Sequence, residues 1–281
     1  MKRIDLQKVE HTTKIGSRCE YREPNVVDDC ILYENGEPIG FYITKMPERM
    51  CKLADIANSE FNSKRVPKTK LDRSDVLKAQ IKNPGMTREQ ARKVGTTQMS
   101  VILGSVPPKP QFMRYYGTIS SVHGVESAQT FIKAMLMLAK ESEQVIKEYM
   151  PEQYARQMKI FEGVDEKWRF ANMFTSSISN YNISAPFHRD TGNIVGAVNV
   201  IICKKHNAKG GDLHVPDYNA TFGQQDNSML VYPAWKNVHG VTPIIPTYEG
   251  GYRNSLIFYP LKAFLNKEDG QEKAHSENNI V

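Results

Sequence analysis

Three residues of this chain have the types and spacing of a metal-binding face. His188 and Asp190 stand two positions apart at the end of a short apolar run that begins at Ile183. Alternate residues of a strand point to the same side, so the imidazole and the carboxylate can reach one ion. His239, in Asn237-Val238-His239-Gly240-Val241, lies 51 residues beyond His188, after one strand pair and a turn at Gly210-Gly211, and offers a second imidazole from a distant strand. Two imidazoles and one carboxylate on one face leave three coordination positions open, which is the ligand set of a non-haem iron(II) oxygenase.

A fourth element follows 14 residues after His239, in Arg253-Asn254-Ser255. Arg253 and Ser255 share a face of their strand. The planar guanidinium can clamp a carboxylate through two parallel hydrogen bonds, and the hydroxyl adds another. The expectation is that this pair anchors 2-oxoglutarate, with dioxygen as the other co-substrate. Because such chemistry draws its oxidant from the metal and the co-substrate, Asp217 and Asp226 read as loop residues and not as acid or base catalysts. His206 and His214, near the Gly210-Gly211 turn, read as surface residues, and Trp168 and Trp235 as packing residues.

The elements that must position these groups are legible in outline. Cys30 to Lys45 alternates apolar runs around Asn35-Gly36, a strong hairpin signal because both positions tolerate positive φ. Residues 46–95 read as helical pieces and loops, with a stop at Asn83-Pro84-Gly85 and Thr87 as an N-cap. A strand should precede Pro107-Pro108 and Pro110, which end it. Between 125 and 150 apolar residues recur at helical spacing (Phe131, Ile132, Met135, Leu138, Ala139, Val145, Ile146), and Pro151 lies just beyond. After Trp168 the texture is of short strands separated by turns, the pattern of a sandwich or barrel. The expected organisation is an N-terminal extension over 1–95, a catalytic core over 96–265 and a polar tail over 266–281.

At 281 residues, 40% hydrophobic and 24% charged, the chain can bury a full core without disulfides or structural metals. Cys19, Cys30, Cys51 and Cys203 are too scattered for a zinc ribbon and read as free thiols. No apolar run approaches a membrane span, and no apolar segment follows the charged N-terminus. The protein is expected inside a cell. The net charge is +6 with a pI near 9.0, and it is unevenly placed. Between Lys64 and Lys93 ten basic residues face three acidic ones, a local excess that suits a polyanion.

With these residues in hand, a resemblance can be named. Ala185-Pro186-Phe187-His188-Arg189-Asp190-Thr191-Gly192-Asn193, then Gly210-Gly211-Asp212-Leu213-His214-Val215-Pro216, then His239-Gly240, then Arg253-Asn254-Ser255-Leu256-Ile257-Phe258-Tyr259 resemble the TET/JBP family of nucleic-acid base dioxygenases. The likeness covers about residues 171–262 and extends weakly upstream to Gly104-Ser105-Val106-Pro107 and Arg114. It implies an α+β chain with a double-stranded β-helix (jelly-roll, cupin-like) core flanked by helices. It also implies iron(II), 2-oxoglutarate, and oxidation of the 5-methyl group of a pyrimidine in DNA, in a DNA-containing compartment and with no obligate protein partner.

By the same resemblance Asn193 contacts the target base, Tyr259 stacks on it, and Arg114 matches an upstream arginine of the active site. The base would be flipped out of the duplex, and Lys64, Arg65, Lys68 and Lys70 would grip phosphates. Leu261 is a departure, since cytosine-acting relatives often carry a histidine there. The absence of a cysteine-rich region resembles compact phage forms. The reading is therefore a 5-methylcytosine hydroxylase, with thymine in DNA, or a protein or small molecule, as alternative substrates.

Overall fold

A computed structural model of the chain describes residues 1–70, Gly85, Thr87 and 98–266. The strands are β1 (Lys2–Asp5), β2 (Cys30–Glu34), β3 (Glu37–Ile43), β4 (Thr69–Lys70), β5 (Met99–Val106), β6 (Thr118–Ile119), β7 (Ser176–Tyr181), β8 (Ala185–His188), β9 (Asn199–His206), β10 (Ala208–Gly210), β11 (Leu213–Val215), β12 (Ala220–Phe222), β13 (Met229–Tyr232), β14 (His239–Val241), β15 (Ile244–Pro246) and β16 (Tyr252–Tyr259). Among the described residues three α-helices join them: α1 (Glu48–Asn62), α2 (Gln129–Tyr149) and α3 (Pro151–Phe161).

Among the described residues the strands form a large sheet ordered β1-β2-β3-β13-β9-β16-β7-β5-β4, with β6 on β5, and a smaller sheet ordered β12-β11-β14-β8. Successive strands alternate between the two layers: β7 lies in the large sheet, β8 in the small, β9 in the large, β11 and β12 in the small, β13 in the large, β14 in the small and β16 in the large. That alternation defines a jelly roll. β10 and β15 form a separate ribbon beside it.

The period-2 pattern of β9 decides which layer each side chain joins. Val200 and Ile202 face outward into a core shared with Met50, Ala54 and Phe61 of α1 and Phe131, Met135 and Leu138 of α2. Ile201 faces inward, into a second core with Leu32, Tyr42, Leu230 and Tyr232 of the large sheet and Leu213, Val215 and Phe222 of the small one. The large sheet is therefore buttressed on its outer face by α1 and α2, while its inner face meets the small sheet.

The hairpin expected at Asn35-Gly36 forms, with φ of 52° and 84°, the two positive values of a type I′ turn. It lies against β13, so the described part of the expected N-terminal extension shares the core's sheet. The helix expected over 125–150 is α-helical from Gln129, after two 3₁₀ turns over Ser121–Gly124 and Glu126–Ala128. Pro151 does not end the helical region. It opens α3, because proline is tolerated at the first helical position, where its missing N–H has no partner to lose. All four cysteines are free and buried. No helix among the described residues is long and apolar enough to cross a membrane. The helix stop at Asn83-Pro84, most of the basic segment (Arg73, Lys78, Lys82, Arg88, Arg92, Lys93) and most of the polar tail fall outside the described residues.

Candidate metal and co-substrate site

β8 and β14 pair antiparallel with His188 directly opposite His239, and the register slips by a bulge just past His239. The two imidazole centroids are 4.4 Å apart. Asp190 lies two residues beyond the end of β8, with a carboxylate oxygen 3.5 Å from His188 Nε2. One ligand atom from each of His188, Asp190 and His239 can be chosen so that all lie within 4.8 Å of one another. Among the described residues no other group of histidine, cysteine or carboxylate side chains converges in this way.

Backbone carbonyls hold both rings in the orientation a metal ligand needs. His188 Nδ1 lies 2.8 Å from the Pro186 carbonyl and His239 Nδ1 lies 3.1 Å from the Asn237 carbonyl. A proton on each Nδ1 donates to that carbonyl and leaves the Nε2 lone pair free. Burial depresses the pKa of His239, the neighbouring His188 adds to the effect, and Asp190 opposes it. A depressed pKa keeps the ring neutral and able to ligate. Asp190 is oriented from one side: its Oδ2 accepts from Asn193 Nδ2 at 3.4 Å and from Asn199 Nδ2 at 3.3 Å, which leaves Oδ1 toward the histidines. Asn237 is fixed in turn by side-chain bonds with Tyr218, Tyr232 and Asp217. The donor set and its supports fit a divalent cation of the iron(II) type.

Arg253 is 2% exposed on β16, opposite Lys205 of β9. Its Nη2 donates to Gln224 Oε1. Its Nε is buried without a partner, and so is the Nε2 of Gln224. Two donors of one bonded pair, buried and unsatisfied, are what an acceptor such as a carboxylate completes; left alone they carry a desolvation cost. The Gly210-Gly211 turn makes room for the arginine stem. A Cβ on Gly211, at φ +70°, would lie 3.1 Å from Arg253 Cδ and 3.0 Å from Ile244. Asp212 secures the surroundings by accepting from the Gln224 backbone at 2.9 Å and pairing with Lys205 at 3.3 Å.

The other sequence candidates divide. Tyr259 ends β16 on the strand face of Arg253 and Ser255, opposite Ser176; burial raises its phenol pKa, with Asp190 adding to the rise and Ser176 opposing it. Ser255 shares the face of Arg253 and Tyr259, and its hydroxyl makes a 3.5 Å contact with the Asn180 carbonyl. On that face Ile257 lies opposite Ile178, which lies opposite Ile102, giving an apolar wall. Asn193, the candidate for contact with a base, has its amide bonded to Asp190 and, at 2.9 Å, to Asn199, because the turn after Asp190 folds it back under the carboxylate. Its backbone pairs with that of Leu261. Arg114 is exposed on a loop, and the described contacts do not link it to the triad.

Of the four basic candidates, Lys64 and Lys70 are exposed. Arg65 is paired with Glu60 at 2.6 Å, and Lys68 Nζ donates to the Phe61 and Ser63 carbonyls at the C-terminus of α1, a helix-capping role. His214 is buried and not a surface residue. Desolvation lowers its pKa to about 4, and its Nδ1 meets Thr221 Oγ1 at 2.8 Å. Asn199 and Gln224 went unread in the sequence. Asn199 carried one available signal, a polar residue heading the apolar run of β9; Gln224 carried none.

No protein family model and no curated protein sequence matches the chain. Solved structures do match. NgTET1 in complex with 5mC DNA superposes with a TM-score of 0.59 at 13% identity, over 95% of this chain and 91% of that one. A 2OG-Fe(II) oxygenase family oxidoreductase from Burkholderia pseudomallei gives a TM-score of 0.41 at 11% identity (78% and 84% covered), and OsALKBH1 gives 0.38 at 10% (79% and 98%). At these identities the likeness to NgTET1 is one of fold, and the two lower scores add nothing to it.

Proposed function

We propose that this chain is an iron(II)- and 2-oxoglutarate-dependent dioxygenase that hydroxylates the 5-methyl group of 5-methylcytosine in DNA. The observation that carries the dioxygenase reading is the convergence of His188, Asp190 and His239, together with the unsatisfied donor pair formed by Arg253 of β16 in the facing sheet and Gln224 in the loop after β12. His188 Nε2, His239 Nε2 and Asp190 Oδ1 would hold the metal, and Arg253 with Gln224 the distal carboxylate of 2-oxoglutarate. When bound, iron and 2-oxoglutarate supply with dioxygen the oxidising power for inserting oxygen into a C–H bond, releasing succinate and carbon dioxide. The protein's own share is placement. Asn193 and Asn199 fix the carboxylate, two carbonyls fix the rings, and Ile102, Ile178 and Ile257 form a wall against which an apolar methyl group can rest.

Support for a base in DNA comes from the shared fold with a protein solved on 5mC DNA and from the HRDxxN and RxSLxFY signatures. A base paired in a duplex cannot reach a site between two sheets, so the target nucleotide is extruded. Tyr259, opposite Ser176 at the end of β16, would supply the ring that meets it, and Asn193, bonded to the Asp190 carboxylate, would act through the metal ligand. The test is incubation with iron(II), 2-oxoglutarate and duplexes containing 5-methylcytosine, thymine alone or no methyl group, followed by succinate measurement and nucleoside mass spectrometry. The expected result is 5-hydroxymethylcytosine. Oxidised thymine would move the reading to the alternative base, and succinate release without any change in nucleosides would refute the DNA substrate.

A further inference from the structure

We infer that the loop between β5 and β6 is a preformed wedge, which enters the stack of a nucleic acid and fills the gap left by the extruded base. This rests on the base-acting reading above. Phe112 and Met113 sit at the loop's apex, 68% and 79% exposed, with Tyr115 and Tyr116 also open to solvent. Single exposed apolar residues are ordinary, but four in five positions form a patch that calls for a partner.

The loop is built to hold that patch rigidly. Pro107, Pro108 and Pro110 restrict its backbone. Lys109 and Arg114 close its base by exchanging backbone bonds, Lys109 N–H to the Arg114 carbonyl at 2.7 Å and Arg114 N–H to the Lys109 carbonyl at 3.2 Å. Within this clasp Pro110–Phe112 form a 3₁₀ turn, and Met113 takes φ +58°, a left-handed value that side chains other than glycine, asparagine and aspartate seldom adopt. The far end is seated as well: a Cβ on Gly117 would lie 2.7 Å from the Phe264 ring. A rigid apolar tip has met its ordering cost before binding.

Place and charge select the occupant. Residues 107–111 form one wall of a cleft of about 240 Å³ whose other wall is Thr191, Gly192, Leu261, Lys262 and Ala263. Thr191 directly follows the metal candidate Asp190, so the limb of the loop that carries the tip stands beside the proposed site. The cleft lining includes Lys109 and Lys262 and no carboxylate, and Arg114 completes a cationic flank. Aromatic rings between cations are the surface on which unstacked bases and phosphates are held, and apolar side chains driven between base steps are a known way to unstack them.

The experiment compares the full-length wild-type protein with Phe112→Ser/Met113→Ser on two DNA duplexes. One carries the target 5-methylcytosine fully paired, and the other places it opposite an abasic site, where it is already unpaired. A 2-aminopurine next to the target reports stack opening by fluorescence. The expected result for the variant is loss of the opening signal and roughly tenfold or greater loss of turnover on the paired duplex, the scale of one aromatic stacking contact. On the unpaired duplex turnover should stay within about twofold of wild type, and Phe112→Trp should retain the signal. Equal losses on both duplexes, or an unchanged opening signal in the variant, would overturn the wedge while leaving the base-acting reading in place. Failure of the wild type to open or oxidise either duplex would overturn both.

Discussion

Replacing Arg253 by lysine tests the co-substrate site where the structure is most explicit. The guanidinium spends Nη2 on Gln224 and holds Nε buried and unpaired. An ammonium on the shorter lysine stem keeps the charge but cannot present two donors in one plane. The variant therefore loses one charge-assisted bond to the co-substrate carboxylate and leaves Gln224 Oε1 without its donor. Hydrogen bonds to charged groups are worth about 1.5–3 kcal/mol each, so the 2-oxoglutarate requirement should rise by roughly ten- to a hundredfold. Gln224→Leu should raise it less, since the arginine remains. The double variant should show less than the sum of the two effects, because the residues act as one bonded unit. The assay is a 2-oxoglutarate titration at saturating DNA, paired with calorimetric binding under anaerobic conditions. An unchanged titration curve for Arg253→Lys would refute the anchor.

Alanine at His188, Asp190 or His239 is expected to abolish turnover while the far-ultraviolet circular dichroism keeps its wild-type form; activity in any of the three with iron supplied would remove the triad assignment. Asn199→Ala, which deprives Asp190 Oδ2 of one donor, should weaken metal affinity about tenfold or more, the usual cost of losing a partner of a ligand, as measured by metal titration. Buried His214 has its pKa lowered to about 4 from an unfolded value near 6.5. Between those values the unfolded chain binds the extra proton, so stability rises with pH across that window and is lost as pH falls through it. The contribution is about 3 kcal/mol, and His214→Leu should flatten the wild-type dependence of denaturant unfolding over pH 4–6.5. For the basic cluster, Lys64→Ala/Lys70→Ala should flatten the salt dependence of DNA binding by up to about 0.9 per lost phosphate contact, with thermal stability unchanged. Lys68→Ala should instead lower the melting temperature, because its amine caps α1.

The parts of this architecture legible in the chain are those that local rules write. Asn35-Gly36 specifies its turn through two positive φ values, and the two-residue spacing of His188 and Asp190 brings both to one place, although the strand ends at His188 and Asp190 lies just beyond it. What escaped is set by distant partners. Asn199 looks like any polar residue at a strand end until the chain folds it under Asp190. Gln224 gains its meaning only from Arg253, 29 residues later. Lys68 and Arg65 count as positive charge in a sequence tally, yet the fold directs one to helix carbonyls and the other to Glu60. Pro151 obeys its rule as a helix stop for α2 and a second rule as the first residue of α3, and the sequence does not say which applies.

The place of β16 in the large sheet bears on how the molecule comes into being during synthesis. It lies between β7 and β9, bonded to both along most of its length, although it leaves the ribosome after each of them. Until residues 252–259 emerge, β7 and β9 have no common neighbour, and each presents an open edge. The nascent protein therefore carries both histidines and the aspartate before it has a closed sandwich to hold them in. The strand that closes the sheet, and Arg253 with it, is thus the last of these parts to be synthesised.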